Sequence, residues 1–146
     1  MKVLIFRAEL CNGCRVCEQV CSQTWFKGEG AERSAIRIGR VADQPDHFQA
    51  STCTQCGECI DVCQTLAIKR DAHGIVRIQK NACVGCLSCV GFCPQYAMHA
   101  HPDNLIPFKC VACGKCVDAC PARALSIADL PEAELTATEK RMKVVV

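Results

Sequence analysis

The sequence predicts an α+β fold in which small sheets and short helices surround cysteine-rich centres, and three observations carry that expectation. Cysteine supplies 16 of the 146 residues, above the level of about 8–10% at which cysteine chemistry organises a fold more than its core does. With the cysteines set aside, roughly two-fifths of the chain is apolar, and its aromatics are one Trp, one Tyr and five Phe, too little for a large apolar core. Short apolar or β-prone stretches of about four residues, separated by Gly-, Pro-, Asp- or Asn-containing turns, read as strands and hairpins.

Taken in chain order, Val3-Leu4-Ile5-Phe6 is the first strand. Four apolar residues before Arg7 are too few for a signal-peptide core or a membrane span. The reading is therefore cytoplasmic, with no direct membrane insertion, and in a reducing compartment thiols serve as metal ligands rather than as disulfides. One motif then occurs four times: Cys11, Cys14, Cys17, Cys21; Cys53, Cys56, Cys59, Cys63; Cys83, Cys86, Cys89, Cys93; and Cys110, Cys113, Cys116, Cys120. The spacing is Cys-x2-Cys-x2-Cys-x3-Cys throughout, it consumes every cysteine, and it is the run that holds [4Fe–4S] clusters in bacterial ferredoxins.

The chemistry explains the spacing. Three thiolates at i, i+3 and i+6 of a tight loop reach three corners of a cubane, and the fourth iron takes its ligand from elsewhere. The fourth cysteine is expected to open a helix leading away, so that in two-cluster modules it reaches the other cluster. Pro94 and Pro121 follow it in two motifs, Ser22 and Gln64 in the others. Eight disulfides would require bridges within close-set triplets, which is poor geometry. Zinc knuckles would leave a third cysteine surplus in each motif.

Ala67-Ile68-Lys69-Arg70, a turn ending at Gly74 and Ile75–Ile78 form a hairpin between the second and third motifs. Residues 50–100 therefore read as one ferredoxin-like module. A second turn at Pro102-Asp103-Asn104 connects Tyr96-Ala97-Met98 to Leu105–Phe108. Val3–Phe6 and Ala124–Ile127 flank the outer motifs, so residues 1–49 and 101–128 are expected to form a second module into which the first is inserted, with 129–146 as a tail. The ligand sets then become Cys11, Cys14, Cys17 with Cys120; Cys110, Cys113, Cys116 with Cys21; Cys53, Cys56, Cys59 with Cys93; and Cys83, Cys86, Cys89 with Cys63. Pairing of consecutive motifs is the alternative that the residues leave open.

With these motifs and the segment Ser34-Ala35-Ile36-Arg37-Ile38, residues 2–127 resemble the four-cluster ferredoxin-like electron-transfer subunits. These accompany molybdenum or tungsten enzymes, hydrogenases and carbon monoxide dehydrogenase. The nearest likeness is the small polyferredoxin subunit of tungsten-dependent aldehyde oxidoreductase complexes. The resemblance implies nested pairing and four [4Fe–4S] clusters. It also implies a large catalytic oxidoreductase subunit as partner, with a second redox protein or flavoprotein subunit at the other end; a free polyferredoxin is the alternative. No motif is missing a cysteine, in contrast to members that carry a three-iron cluster.

No enzyme activity of its own is expected, since the sequence has no dinucleotide fingerprint, no Cys-x2-Cys-His for haem and no spare metal ligand. The formal charge is +2, but an oxidised cluster with its four thiolates carries about −2, so the loaded chain falls to about −6. With no basic run interleaved with aromatics, nucleic acid is not an expected partner. Trp25 and Phe26, before Gly28-Glu29-Gly30 in the long segment 22–52, read either as module core or as interface anchors. The tail reads as a helix capped at Asp129, with Pro131 near its start and Val144-Val145-Val146 available for docking. His47, His73, His99 and His101 read as solvated. Lys109, Lys115 and Arg123 beside the fourth motif, offset there by Asp118, compare with Glu58 and Asp61 in the second and no charge between Cys83 and Cys93, and predict that the cluster at Cys110 is reduced before the inner ones.

Overall fold

A computed structural model describes residues 1–27, 30–132 and 134–144. The first strand, β1 (Lys2–Phe6), ends at a short 3-10 turn, Ala8–Leu10, before helix α1 (Val16–Phe26). A hairpin, β2 (Arg37–Val41) and β3 (Gln44–Ser51), leads to the short helix α2 (Glu58–Asp61). There follow β4 (Ile68–Arg70), β5 (Val76–Ile78), α3 (Ser88–Gly91), β6 (Met98–His101), β7 (Asn104–Lys109), α4 (Lys115–Ala119), β8 (Leu125–Asp129) and α5 (Ala137–Val144).

The strands pair into antiparallel two-stranded sheets: β2 with β3, β4 with β5, β6 with β7, and, across almost the whole chain, β1 with β8. Leu4 stands opposite Ile127 and Phe6 opposite Leu125. The N-terminal amine closes the register, donating to Asp129 Oδ1 at 2.7 Å and to the Leu130 carbonyl at 2.9 Å. Asp129 is therefore the last residue of β8 and not a helix cap. The tail helix begins later, where Thr136 and Glu139 form a capping box: Glu139 Oε2 accepts from the Thr136 N–H at 2.9 Å, and Thr136 Oγ1 accepts from the Glu139 N–H at 3.4 Å. Gly28, Glu29, Val145, Val146 and the side chain of Val144 lie outside the described residues.

Two small cores result. Leu4, Ile36, Ile38 and Leu125 are buried with Cys17 and Cys116, and Phe6 and Phe48 pack around them. Ile60, Ile68, Val76 and Met98 are buried with Cys89, and Ile78 and Met142 cover them. The burial of Ile60, which is 0% exposed, contributes about 1.5–3 kcal/mol. The first core draws on both ends of the chain and on the β2–β3 hairpin. Buried Glu18 of α1 ties that hairpin down by accepting from the Ile38 N–H at 2.7 Å.

The expected helices after each fourth cysteine are a correction. In three motifs the fourth cysteine lies past the end of its helix, Cys120 as the C-cap of α4 and Cys63 and Cys93 two residues beyond α2 and α3; only Cys21 lies inside one, in α1. Proline explains two of these cases: a residue before proline is driven out of the helical region, and Cys120 is extended, with φ −74° and ψ 111°. Pro94 and Pro121 start turns, in which the Tyr96 and Arg123 N–H groups return to the Cys93 and Cys120 carbonyls. The expectation for His99 is also corrected. Its Nε2 is buried and has no hydrogen-bond partner among the described residues. Burial first, and then the Arg37 charge, push His99 down to about 4, against the opposing pull of Ala35.

Between about pH 6.5 and 4 the unfolded chain binds a proton that folded His99 refuses, so stability is lost as pH falls through that window. From pH 7.5 to 5.5 His99 should cost about 1 kcal/mol. His99→Phe should show a smaller drop in melting temperature over that interval than the unaltered chain. Equal drops would show that His99 is not the group responsible.

Candidate iron–sulfur sites

Each motif folds in the same way. The residue before the second cysteine is left-handed in all four: Gly13 (φ +74°), Gln55 (+60°), Gly85 (+70°) and Ala112 (+50°). The residue after it repeats the conformation: Arg15 (+60°), Gly57 (+91°), Leu87 (+61°) and Gly114 (+82°). Such alternation curls the backbone around a centre and turns N–H groups toward negative charge. The third cysteine then sits in the first turn of α1, α2, α3 or α4. At Gly85 a side chain would also collide with Leu105.

Exposure repeats as well. The second cysteines, Cys14, Cys56, Cys86 and Cys113, are exposed; of the third, Cys17, Cys89 and Cys116 are buried and Cys59 is partly so. Backbone donors reach sulfur from outside the three-cysteine loops: Ala35 N–H to Cys21 Sγ and Ala97 N–H to Cys93 Sγ, both at 3.3 Å. All sixteen cysteines are free thiols.

The quartets that enclose space are drawn from two motifs each. Cys53, Cys56, Cys59 and Cys93 line one small cavity. Cys21, Cys110, Cys113 and Cys116 line a second. Cys63, Cys83, Cys86 and Cys89 line a third. Of the remaining four thiols, Cys14 and Cys120 lie near enough to Cys17 for their charges to act on it, and Cys11 and Cys120 pack against the core that contains Cys17. Among the described residues, no three His, Cys, Asp or Glu side chains converge closely enough to hold a single metal ion.

Burial, the largest cause in each case, pushes the Cys17, Cys89 and Cys110 thiols up to about 11 and those of Cys59 and Cys116 up to about 12. These five thiols are therefore neutral without iron, and binding it releases their protons. All-thiol quartets with N–H groups aimed at sulfur suit a multi-iron cluster.

Two models described as the 4Fe-4S dicluster domain match this chain, over residues 10–67 and 75–124. The thiosulfate reductase electron transfer subunit PhsB of Salmonella typhi is 32% identical over 151 residues, a match that takes in 91% of this chain and 78% of that protein. The chain belongs to this 4Fe-4S ferredoxin-like family. Two dicluster domains with sixteen motif cysteines fit four [4Fe–4S] clusters. The ferredoxin-like protein YdhX of Escherichia coli K12 is 38% identical over 98 residues, 63% of this chain and 44% of its own, so the chain spans less than half of that relative. A chain of the BamBC active-site complex of benzoyl coenzyme A reductase overlays with a TM-score of 0.50 at 22% identity, covering 99% of this chain and 88% of that one. That likeness speaks to the fold alone.

The family expectation extends to neither Trp25 nor Phe26, and the structure separates the two. Phe26 packs edge-on against Phe108 at 4.8 Å, which is core behaviour, whereas Trp25 is 51% exposed. Sequence reasoning missed the polar junction of Gln55, Arg70, Lys109 and Glu139. Thr136-x-x-Glu139 was a readable capping signal; nothing local marks the other three.

Proposed function

We propose that this chain is a non-catalytic electron-transfer subunit that carries four [4Fe–4S] clusters as a one-electron wire between a catalytic oxidoreductase subunit and a second redox partner. The observation that carries the reading is the composition of the cavities, in each of which one motif's fourth thiol faces the other motif's three. We read the ligands as Cys11, Cys14, Cys17 and Cys120; Cys110, Cys113, Cys116 and Cys21; Cys53, Cys56, Cys59 and Cys93; and Cys83, Cys86, Cys89 and Cys63. The β1–β8 pairing and the two separate cores support an inner module, 50–100, inserted into an outer one, 1–49 and 101–128, with the β6–β7 hairpin crossing between them. The two family windows instead divide the chain between the second and third motifs; windows follow chain order, and identical motifs satisfy them in any consecutive pairing.

Thiol neighbours order the wire. Cys17 lies near enough to Cys116, Cys53 to Cys110 and Cys89 to Cys59 for the charge of one to act on the other. Bound clusters supply reversible one-electron chemistry; the protein's part is to set their spacing, surroundings and access. At the inner end Val84, Leu87 and Phe92 are exposed on a stretch, Cys83 to Cys93, without a charged residue, and exposed Leu105 of β7 lies against Gly85 of the same stretch. Such a patch suits a lasting interface. The catalytic partner is read as a molybdenum- or tungsten-pterin reductase, with the molybdenum class favoured by the likeness to a thiosulfate reductase subunit. The tungsten and aldehyde assignments rest on the sequence resemblance alone. No described helix is long and apolar enough to cross a membrane.

Anaerobic purification of the tagged chain from its own cells tests the reading. It should hold about sixteen iron atoms and bring down a large pterin-containing subunit; a stable monomer would favour the free polyferredoxin. Val84→Ser with Phe92→Ser should keep the iron and cut electron delivery to the partner at that end by more than about tenfold, as expected for loss of apolar anchors. Unchanged delivery would remove this patch from the interface.

A further inference from the structure

Lys109, the last residue of β7, is only 8% exposed. Its ammonium donates to Gln55 Oε1 at 2.9 Å, to the Val76 carbonyl at 2.6 Å and to the Cys110 carbonyl at 2.9 Å. These acceptors are an amide oxygen and two backbone carbonyls, so none of them neutralises the charge. A buried cation without an anion is costly. Its position explains how the cost is met: Lys109 lines both the cavity of Cys53, Cys56, Cys59 and Cys93 and that of Cys21, Cys110, Cys113 and Cys116. Gln55, 0% exposed, reinforces the link, with its Nε2 donating to the Cys110 carbonyl at 3.1 Å while its Oε1 accepts from the Val76 N–H at 3.0 Å.

We propose that Lys109 is a counter-cation shared by the two middle clusters, raising both of their reduction potentials together and so keeping the electron step between the modules level. The proposal rests on the ligand sets read above. An oxidised cluster with four thiolates carries about −2 and gains one more negative charge on reduction. A fixed positive charge beside it favours the reduced state, and in a site shielded from water that effect is weakly screened. A cation placed against one cluster alone would open a step in potential at the junction, whereas one placed between the two lifts both.

The test is an EPR-monitored redox titration of the loaded chain and of Lys109→Met, with iron measured in each. Four clusters should titrate in both, and in K109M two of the four potentials should move to more negative values while the other two stay. Lys109→Arg, which keeps the charge, should restore both. If K109M loses iron, Lys109→Gln, neutral but still able to donate to the same carbonyls, is read in the same way. Four unmoved potentials, or a shift confined to one cluster, overturn the proposal and leave the ligand sets standing. Fewer than four clusters in the unaltered chain overturn the ligand reading and this proposal with it.

Discussion

Cys63→Ser should damage the cluster held by Cys83, Cys86 and Cys89 and leave the cluster at Cys53, Cys56 and Cys59 with its normal spectrum. Cys63 follows α2 in its own motif, yet it lines the cavity of the third. A serine oxygen is a much poorer partner for iron than a thiolate, because soft thiolate ligands are the ones that select iron–sulfur clusters. Losing even an outer-shell partner of a metal costs about 10–100-fold in affinity or activity, so loss of a direct ligand should exceed that. Iron should fall by about one to four atoms per chain, and because the damaged site stands at one end of the proposed wire, electron transfer through that end should fall more than about tenfold. Cys21→Ser should act in the same manner on the cluster at Cys110, Cys113 and Cys116. Damage confined to the mutated residue's own motif would reverse the crossed assignment and favour self-contained motifs.

What could be read from the sequence was what local geometry enforces. Residues at i, i+3 and i+6 can hold a curled loop without help from the rest of the chain, so the four loops follow from spacing, whereas the helix expected from the fourth cysteine starts instead around the third. The hairpins at 68–78 and 98–109 follow similarly from turn chemistry. The partnership of β1 with β8 was legible for a different reason: two apolar segments at opposite ends had no other strand to cover them. Errors arose where a local signal had two uses. Proline after the fourth cysteine suits a first helical turn and also forbids its predecessor from continuing a helix; at Cys120 the second effect prevails. Asp129 can cap a helix, but here it holds the N-terminal amine. His99 has nothing in its neighbours to mark it as buried, because the groups that act on it, Arg37, Ala35 and Phe108, come from other segments.

Lys109 shows the same limit with a functional consequence. By position it belongs to the fourth motif, and the charge count of that motif predicts early reduction of the cluster at Cys110. In the fold the ammonium lies against the Cys53 quartet as well, so the predicted gap between these two clusters narrows. The comparison that the charges still support is between the middle pair and the uncharged Cys83–Cys93 end, which should be reduced at lower potential.

Arg70→Met should release the tail helix and destabilise the chain by about 3–5 kcal/mol, the usual cost of removing one partner from a buried ion pair. Arg70 and Glu139 have side chains only 10% and 9% exposed and meet at 2.8 Å. Arg70 also donates to the Gln55 carbonyl at 2.8 Å, the Gly74 carbonyl at 3.0 Å and the Cys56 carbonyl at 3.3 Å, so a single guanidinium joins α5 to the second cysteine loop and to the β4–β5 turn. Gly57 permits this approach, since a Cβ there would run into the Arg70 guanidinium and Thr136. Burial pushes the Glu139 carboxyl up, but its bonds from Arg70 and Thr136 outweigh that and hold it below the usual carboxylate range. A depressed folded value means that the stabilisation is present above about pH 4.5 and is lost as pH falls through the lower one. In Arg70→Met the carboxylate keeps its Thr136 bonds but loses its counter-charge while staying buried, and hydrogen exchange at Lys140, whose N–H is held by the Thr136 carbonyl at 3.0 Å, should quicken by more than about a hundredfold. Arg70→Met combined with Glu139→Leu removes the stranded charge and should recover much of the loss. If the double variant exchanges as fast as Arg70→Met alone, the buried charge is not the cause, and the lost bonds to the Gln55, Gly74 and Cys56 carbonyls are what held the tail in place.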